Sequence, residues 1–367
     1  MRLLLSGGGT GGHVYPAVAT VRELKGRRPS LELCFVGRPS GVEAELSARE
    51  SIPFRGIATA NFRGVAPWRA PYQLLRLARG VREGLKVIRE FRPQAILATG
   101  GYVCFPMVVA SWLARVPSLL YLPDLEPGLA VSALAGIADR IAVSFPESSR
   151  FFDPHKTVVT GYPVRAEIYQ LDRATARGKL GLPQEERMIL VLGGSLGAHS
   201  INLAVQRCLP HILPRAWVWH VAGPADAAWL STQRESLPAS LRERYHIYSY
   251  LHQELLWALK AADLAVARAG ASTLGEFPAA GLPAILVPYP YAGQHQERNA
   301  DYLVQRGAAL KIADQDLEEG LLPTLLALLE DEGRRGQLAE NARELARPEA
   351  AHRLGQELER LVESRGR

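Results

Sequence analysis

One stretch near the start of the chain decides the fold: Ser6-Gly7-Gly8-Gly9-Thr10-Gly11-Gly12-His13. It stands between an apolar run at residues 3–5 and a helical pattern at residues 17–24. An apolar strand that runs into a glycine loop and then a helix is typical of a βαβ unit in a parallel sheet. Glycines there let backbone N–H groups approach a phosphate, and the helix N-terminus favours negative charge. The stretch therefore predicts a Rossmann-like half with an anion site at its first turn.

The same arrangement returns twice. Gly193-Gly194-Ser195-Leu196-Gly197-Ala198 follows an apolar run in the second half, and Thr99-Gly100-Gly101-Tyr102 follows one in the first. Apolar runs predict strands at 3–5, 31–36, 95–98, 118–121, 140–143, 188–192, 217–221, 245–248, 264–267, 284–288 and 309–312. Three such loops suit a cleft that holds two phosphorylated partners, although Gly100 and Gly101 could equally make only a tight turn. The chain is predicted to be an α/β protein with two Rossmann-like domains facing across a cleft.

The domain boundary is predicted at Thr160-Gly161-Tyr162-Pro163-Val164-Arg165, where glycine and proline follow a strand. This places an N-terminal domain at residues 1–161 and a C-terminal domain at residues 162–344. The first domain is basic: residues 1–161 carry 20 Lys and Arg against 12 Asp and Glu, whereas residues 162–367 carry 23 against 25. A polyanionic surface or substrate is therefore expected on the N-terminal side. Nucleic acid is not expected, because no aromatic-basic repeat accompanies the charge.

Length and cysteine usage restrict the class of protein. A chain of 367 residues suits two α/β domains. The three cysteines lie far apart, so they predict neither a zinc site nor a disulfide framework and fit a reducing cytoplasm. No stretch is predicted to be a signal peptide or a transmembrane helix.

The first loop leaves an oxidoreductase open. Gly7, Gly9 and Gly12 satisfy the G-x-G-x-x-G pattern of dinucleotide-binding domains. That pattern usually requires an acidic residue at the end of the second strand, where this chain has Arg38. Because an arginine suits a 2′-phosphate, an NADP-dependent oxidoreductase stays an alternative.

A second group of polar residues follows the predicted strands of the C-terminal half. Arg268-Ala269-Gly270-Ala271-Ser272-Thr273-Leu274-Gly275-Glu276 places an acid one turn inside a helix that Ser272 and Thr273 are predicted to cap. Glu276 could accept both hydroxyls of a ribose, or it could make only a local capping-box bond. Gly293-Gln294-His295-Gln296-Glu297-Arg298-Asn299 opens another helix with side chains that suit a hydroxyl-rich ligand. For Gln294 and Glu297, a plain polar loop is the preferred interpretation.

These pieces together resemble the MurG family of glycosyltransferases. The strings GGGTGGHVYPAVA, ATGGY, TGYPVR, GGSLGA, RAGASTLGE, AAGLPAILVPYP and HQERNA occur in the order and spacing of that family and cover nearly the whole chain. The resemblance implies the GT-B glycosyltransferase fold. It also implies inverting transfer of N-acetylglucosamine from UDP-N-acetylglucosamine to undecaprenyl-diphosphate-linked N-acetylmuramyl-pentapeptide, the step from lipid I to lipid II in peptidoglycan synthesis. An Arg/Glu-rich helix is predicted at about 337–364, and the resemblance implies that the C-terminal helical segment at about 345–367 packs back on the first domain.

The resemblance also assigns site residues. Backbone around Leu251 would meet the uracil, Glu276 the ribose hydroxyls, and Gln296 with His295 the sugar. The full implied donor set is Thr10, Gly11, Gly12, Asp124, Arg165, Ser195, Leu251, Ala271, Ser272, Thr273, Leu274, Gly275, Glu276, His295 and Gln296. The implied acceptor set is Gly9, His13, Gly100, Gly101 and Tyr102.

One departure from the family concerns the general base. Where the family usually has His-Glu-Gln-Asn, this chain has Tyr121-Leu122-Pro123-Asp124. His13 is the first candidate for the base and Asp124 the second, since Leu122 cannot take a proton. Glu126 could compensate for the lost acid. The departure keeps another lipid acceptor, such as diacylglycerol, as an alternative.

No metal or other cofactor is expected. The only D-x-D string, at Asp314-Gln315-Asp316, is interpreted as a helix cap, because Arg165, helix N-termini and backbone N–H groups can neutralise the leaving diphosphate.

A membrane-facing surface is expected on the N-terminal domain. The predicted helix at residues 72–91 has an apolar face beside a basic one, which suits an anionic membrane. A peripheral position on the cytoplasmic face of the membrane is predicted, through Trp68, Leu75, Arg79, Arg82 and Trp112.

Overall fold

The chain forms two compact units, which we call unit 1 and unit 2. The computed structural model describes residues 1–60, 66–291 and 295–364. Unit 1 comprises Met1–Val164 and Glu349–Arg367, and unit 2 comprises Arg165–Pro348. The first unit therefore ends three residues beyond the predicted boundary at 161, and it includes the last segment of the chain.

Each unit is built on one parallel sheet. Within the described residues, the strands of unit 1 are β1 (Arg2–Ser6), β2 (Glu32–Gly37), β3 (Phe54–Gly56), β4 (Ala95–Ala98), β5 (Ser118–Leu122), β6 (Arg140–Val143) and β7 (Thr157–Val159). Those of unit 2 are β8 (Arg187–Leu192), β9 (Ala216–Val221), β10 (Tyr245–Tyr248), β11 (Leu264–Ala267), β12 (Ala284–Leu286) and β13 (Ala309–Lys311). The strands are continuous apolar runs because helices cover both faces of such sheets.

Helices connect the strands. In chain order they are α1 (Gly11–Arg27), α2 (Val42–Arg49), α3 (Ala70–Phe91), α4 (Cys104–Leu113), α5 (Leu129–Leu134), α6 (Glu167–Gln170), α7 (Arg173–Leu180), α8 (His199–Ile212), α9 (Ala227–Glu235), α10 (Ala239–Arg242), α11 (Glu254–Ala261), α12 (Thr273–Ala280), α13 (His295–Gln305), α14 (Leu317–Glu330), α15 (Glu332–Glu344) and α16 (Ala350–Ser364). Short 3₁₀ helices span Pro67–Arg69, Pro146–Phe151 and Asp314–Asp316. Among the residues described, no helix has both the length and the apolar character needed to cross a membrane.

The strand order of both sheets is that of a Rossmann domain. It is β3-β2-β1-β4-β5-β6-β7 in unit 1 and β10-β9-β8-β11-β12-β13 in unit 2, with every pairing parallel. The prediction of two Rossmann-like α/β halves is confirmed. In each sheet the order reverses between the first strand and the fourth. Ligands bind α/β sheets at this switch point, outside the carboxyl ends of the strands.

The last helix of the chain belongs to the core of unit 1. Leu354 and Leu358 of α16 are fully buried in the same cluster as Leu24 of α1. The predicted single helix at 337–364 is wrong, because α15 ends at Glu344 and α16 begins at Ala350. Pro348 lies in the break; it lacks an N–H and disfavours helix in the residue before it.

The first helix starts earlier than predicted. α1 begins at Gly11 rather than at residue 17 and contains Pro16. Proline has no N–H, so it leaves the carbonyl of Gly12 without its intrahelical donor. The hydroxyl of Tyr162 donates to that carbonyl over 3.1 Å. A hydrogen bond from a distant part of unit 1 thus compensates for the proline.

A buried histidine makes the stability of unit 2 depend on pH. His220 is fully buried, with Nδ1 2.9 Å from the Tyr245 hydroxyl and Nε2 2.9 Å from Oδ1 of Asn202. Burial lowers the pKa of His220 from 6.5 to about 3. The unfolded chain therefore binds the extra proton between these values, so stability is complete above pH 6.5 and falls as the pH drops towards 3.

We expect acid to lower the free energy of unfolding through this group by up to about 5 kcal/mol, at about 1.4 kcal/mol per pKa unit. Melting curves of the protein and of a His220→Gln variant, recorded between pH 7 and pH 4, measure the effect. Glutamine can bond the same two partners but does not titrate. Equal pH dependence in the two proteins would contradict the assignment.

Candidate active site

Two glycine loops meet at the switch point of unit 1. The first glycine loop (residues 7–12) joins β1 to α1, and the second glycine loop (residues 99–102) joins β4 to α4. A Cβ on Gly101 would lie 2.3 Å from the carbonyl oxygen of Gly8, and one on Gly100 would lie 2.8 Å from Cδ2 of His13. Both residues have positive φ, +97° and +77° for Gly100 and Gly101. Only glycine at positions 100 and 101 permits so close an approach of the two loops. A tight turn alone would not require it.

The switch point brings several predicted acceptor residues together. Gly100 and Gly101 contact the segment that contains Gly9 and His13, and the half-buried Tyr102 lies in the same second loop. Cys104, the first residue of α4, donates its thiol to the carbonyl of Gly101 over 3.0 Å. Burial raises the pKa of this thiol to about 12, so Cys104 is a structural residue rather than a nucleophile.

The His13 imidazole is held from both sides. It lies in the first turn of α1, with Nδ1 3.0 Å from Oγ1 of Thr10 and Nε2 3.9 Å from Oδ2 of Asp124. The structure thus brings the two candidate bases together. A carboxylate beside an imidazole stabilises the ring after it has taken a proton. The arrangement can therefore accept a proton from a bound hydroxyl.

The residues just before Asp124 belong to the core. The Tyr121 hydroxyl lies 2.6 Å from Oγ of Ser144, and burial raises the pKa of Tyr121 well above its ordinary value. Leu122 is buried between strand and helices. Glu126, the predicted substitute acid, lies 3.5 Å from a guanidinium nitrogen of Arg150. Asp124 is the first carboxylate that the chain presents after β5.

The switch point of unit 2 carries the predicted donor residues. Ser195 lies half-buried in the loop between β8 and α8, and residues 268–272 connect β11 to α12. The prediction that Ser272 and Thr273 cap α12 is wrong. The Ser272 side chain makes no capping hydrogen bond, and the Thr273 hydroxyl donates to the carbonyl of Arg268 over 3.0 Å. The positive end of the α12 dipole nevertheless lies at this switch point, where it favours an anion.

Glu276 and Arg165 form a buried pair. Oε1 of Glu276 lies 3.8 Å from Nη2 of Arg165, and both side chains are about nine-tenths buried. Burial raises the pKa of Glu276, while the charge of Arg165 lowers it. Arg165 also donates to the carbonyl of His252 over 3.2 Å, which places it beside the buried Leu251. The carboxylate therefore contacts a residue far away in the sequence, unlike the acid of a capping box.

Arg268 is a residue whose importance the sequence did not reveal. Its guanidinium donates to the carbonyls of Val287 and Pro288, each over 3.2 Å, to Oγ of Ser200 over 2.8 Å, and to Asp314. Arg268, directly after β11, thus joins the segment after β12 to α8 and to the 3₁₀ helix at Asp314–Asp316. The interpretation of Asp314 as a cap is wrong, because its carboxylate accepts from Arg268 and Ser200.

The start of α13 carries the predicted sugar-reading pair. Oε1 of Gln296 accepts from the backbone N–H of Tyr289 over 3.0 Å, and His295 is half-buried beside it. Asn299 donates to the carbonyl of Ala269 over 3.0 Å, which joins α13 to the loop before α12. Gln294 lies outside the described residues, whereas Glu297 pairs with Lys311. In the described part of the chain, no group of three or more His, Cys, Asp or Glu side chains could hold a metal ion.

Large apolar side chains are exposed on unit 1. Trp68, before α3, is 80% exposed; Leu75 in the first turns of α3 is 70% exposed; and Trp112, at the end of α4, is 55% exposed. Arg82 is exposed on α3, and Arg79 pairs with Glu83 at 2.7 Å. The second half of α3 packs against α4, since Gly84 lies close to Met107. The apolar face of α3 therefore enters the core only in its C-terminal half.

Two family profiles match the chain, one within unit 1 and one that covers most of unit 2 and the start of α16. Residues 3–143 match the glycosyltransferase family 28 N-terminal domain, and residues 188–354 match the glycosyltransferase family 28 C-terminal domain.

Full-length relatives agree with these matches. A protein of Roseiflexus sp. (strain RS-1) is 43% identical, with 99% of this chain and 95% of that protein covered. One of Bacillus subtilis (strain 168) is 34% identical, with 98% and 99% covered. Both are named UDP-N-acetylglucosamine–N-acetylmuramyl-(pentapeptide) pyrophosphoryl-undecaprenol N-acetylglucosamine transferase. The crystal structure of Acinetobacter baumannii MurG is similar with a TM-score of 0.72, at 25% identity over 98% of this chain and 99% of that one. The chain therefore belongs to glycosyltransferase family 28 and, within it, to the MurG family of transferases.

Proposed function

We propose that this protein transfers N-acetylglucosamine from UDP-N-acetylglucosamine to undecaprenyl-diphosphate-linked N-acetylmuramyl-pentapeptide, which converts lipid I into lipid II in peptidoglycan synthesis. The observation that carries the proposal is the 43% identity, over 99% of the chain, to a transferase named for these substrates. The site chemistry supports it: a half-buried imidazole with a carboxylate in unit 1, and a buried acid with a guanidinium in unit 2.

Unit 2 supplies the groups that a UDP-sugar needs. The Glu276 carboxylate would accept the ribose hydroxyls, and the backbone at Leu251 would meet the uracil. Arg165 and the N-terminus of α12 would hold the diphosphate. These positive groups could neutralise the charge that develops on the leaving UDP, so the proposal requires no metal ion or other cofactor.

The proposed reaction is a single displacement with inversion. The acceptor hydroxyl oxygen forms a bond to the anomeric carbon while the bond from that carbon to the diphosphate oxygen breaks. UDP leaves with the electron pair, and the hydroxyl proton passes to His13. The Asp124 carboxylate would stabilise the imidazolium that results. The glycine loops of unit 1 would hold the acceptor diphosphate through backbone N–H groups.

The direct test is turnover with UDP-N-acetylglucosamine and a short-chain lipid-linked muramyl-pentapeptide. We expect release of UDP and a disaccharide product of inverted anomeric configuration. A parallel reaction with diacylglycerol tests the alternative acceptor that the Tyr121-Leu122-Pro123-Asp124 departure raises. A titration with NADPH tests the oxidoreductase alternative. Glycosylation of diacylglycerol alone, or tight NADPH binding without sugar transfer, would refute the proposal.

A peripheral position on the cytoplasmic face of the cell membrane is the second part of the proposal. The polyprenyl acceptor resides in a membrane, and unit 1 exposes tryptophan and leucine side chains beside arginines. Aromatic and aliphatic side chains insert at the headgroup boundary, and arginines attract anionic lipids. Trp68, Leu75 and Trp112, with Arg79 and Arg82, form the proposed contact surface.

We expect the double variant Trp68→Ser/Leu75→Ser to bind anionic vesicles at least about tenfold more weakly, because each buried apolar side chain contributes about 1.5–3 kcal/mol. Sedimentation with phosphatidylglycerol-containing vesicles at low and high salt measures this. Tyr291→Ser, which alters an exposed aromatic residue of unit 2, is the matched control and should bind like the unsubstituted protein. Equal binding by the double variant and the control would remove this surface from the proposal.

A further inference from the structure

A buried carboxylate lies beneath the first glycine loop. Glu43, in the first turn of α2, is fully buried, and three glycines surround its side chain. A Cβ on Gly8 would lie 2.5 Å from Cδ of Glu43, one on Gly41 would lie 2.4 Å from the same atom, and one on Gly37 would lie 2.5 Å from Cγ. The carboxylate thus occupies the space that side chains at these positions would need.

Stability alone does not explain Glu43. Its Oε1 accepts one hydrogen bond, from the backbone N–H of Arg38 over 2.9 Å. Its Oε2 is buried and has no hydrogen-bond partner within the described part of the chain. Burying a carboxylate costs free energy unless its oxygens are paired, and a buried polar atom without a partner is uncommon in folded proteins. Exceptions of this kind are concentrated at functional sites.

The contacts of Gly8 connect Glu43 to the candidate base. The carboxylate packs against Gly8, whose carbonyl in turn contacts Gly101 of the second glycine loop. The neighbouring Gly100 packs against the His13 imidazole. All these residues belong to unit 1. A shift of Gly8 would therefore move the surface on which His13 rests.

We propose that Glu43 is a positioning residue for the acceptor half of the transfer reaction. Its side chain fixes the position of the Gly8 backbone. Through the contacts of Gly8 with Gly101, and of Gly100 with His13, it thereby fixes the position of the His13 imidazole. Glu43 itself is fully buried, so it acts through the loop and does not touch a substrate. The inference rests on the proposed function, because it assigns a role within the same transfer.

Three variants separate this role from a general one. Glu43→Ala is expected to lower kcat for sugar transfer at least about tenfold, since misplacing a reacting group by about 1 Å can cost about a hundredfold. UDP affinity, a property of unit 2, should stay within about twofold. Glu43→Gln keeps the shape and the acceptor for the Arg38 N–H, so it should restore most of the activity. Glu45→Ala, which alters an exposed acid on the same helix, should behave like the unsubstituted protein.

A size exchange tests the contact itself. Gly8→Ala alone should lower kcat strongly, because its Cβ collides with the carboxylate. Glu43→Asp shortens the side chain by one methylene and so withdraws the carboxylate from Gly8. In the Glu43→Asp background, the factor by which Gly8→Ala lowers kcat should be at least about fivefold smaller than in the unsubstituted protein. Such non-additivity indicates that the two residues are in contact. This test does not require that the Glu43→Ala variant folds. Melting curves show whether each of the variants used is folded.

Two results of the activity measurements would overturn the inference, and one result of the UDP titration would do the same. One is unchanged kcat and acceptor KM in a folded Glu43→Ala variant; the other is additive effects of Gly8→Ala and Glu43→Asp. A loss of UDP affinity in parallel with kcat would also overturn it, because that pattern indicates general damage. Absence of transfer by the unsubstituted protein would instead refute the proposed function.

Discussion

Replacing His13 by alanine is expected to lower kcat for sugar transfer by about 10²–10⁴-fold, the usual contribution of a positioned general base. Each ring nitrogen of the imidazole has a polar side chain nearby: Oγ1 of Thr10 lies 3.0 Å from Nδ1, and Oδ2 of Asp124 lies 3.9 Å from Nε2. UDP binding should be unchanged, because the groups proposed to hold the uracil, the ribose and the diphosphate belong to unit 2, whereas the donor residues proposed from unit 1 approach the sugar. Steady-state kinetics with both substrates, together with calorimetric titration of UDP, measure the two effects separately.

The Asp124→Asn variant distinguishes a base from its partner. If His13 takes the proton, Asp124→Asn removes only the stabilisation of the imidazolium and should lose less kcat than His13→Ala. An Asp124→Asn variant as inactive as His13→Ala, beside a His13→Ala variant that retains turnover, would assign the base to Asp124. Full turnover in both variants would require another base.

Replacing Glu276 by alanine is expected to weaken donor binding by about 10–100-fold, because hydrogen bonds to charged groups contribute about 1.5–3 kcal/mol. The carboxylate is about nine-tenths buried next to Arg165. Its loss also leaves the Arg165 guanidinium without its buried counter-charge. Both the Kd for UDP and the KM for UDP-N-acetylglucosamine should rise.

The controls for Glu276 separate binding from stability. Glu276→Gln keeps the size and one acceptor oxygen and should lie between the alanine variant and the unsubstituted protein. Glu319→Ala, which removes an exposed acid on α14, should leave donor binding unchanged. Melting curves show whether the alanine variant is folded. A folded Glu276→Ala variant with unchanged Kd for UDP would contradict the assignment.

Four strands could be predicted to the residue, whereas the two edge strands of the unit 1 sheet could not be predicted at all. The predictions at 95–98, 140–143, 245–248 and 264–267 are confirmed without any change in bounds. The runs at 95–98, 140–143 and 264–267 are mostly buried and apolar because helices cover both sides of the sheet. The edge strands β3 and β7 were missed, since each has three residues and is partly exposed. Three residues with a mixed polar and apolar pattern cannot be distinguished from a loop in the sequence.

The positions of the glycine loops followed from the sequence because each comes directly after an apolar strand. The carboxyl ends of parallel strands meet at one edge, so the chain order of the motifs determines where they lie. The partners of Arg268 could not be predicted in this way, since Ser200 and Asp314 come from separate connections and no spacing links them. Glu43 left no signal either, because it contacts the backbone of glycines rather than another side chain. Whether the predicted site residues bind substrate stays a prediction.

The late return of α16 to unit 1 has a consequence for how the protein is made. Leu24 and its neighbours on α1 pack against Leu354 and Leu358 of α16, yet all of residues 165–348 are translated between them. At about 5–20 residues per second, the ribosome needs roughly 10–40 s to traverse that interval. Unit 1 is thus the first to begin synthesis and the last to be completed. Until α16 has been made, the apolar side chains of α1 that it covers stay exposed. During synthesis, the nascent N-terminal half is the part of the chain that a chaperone would need to shield.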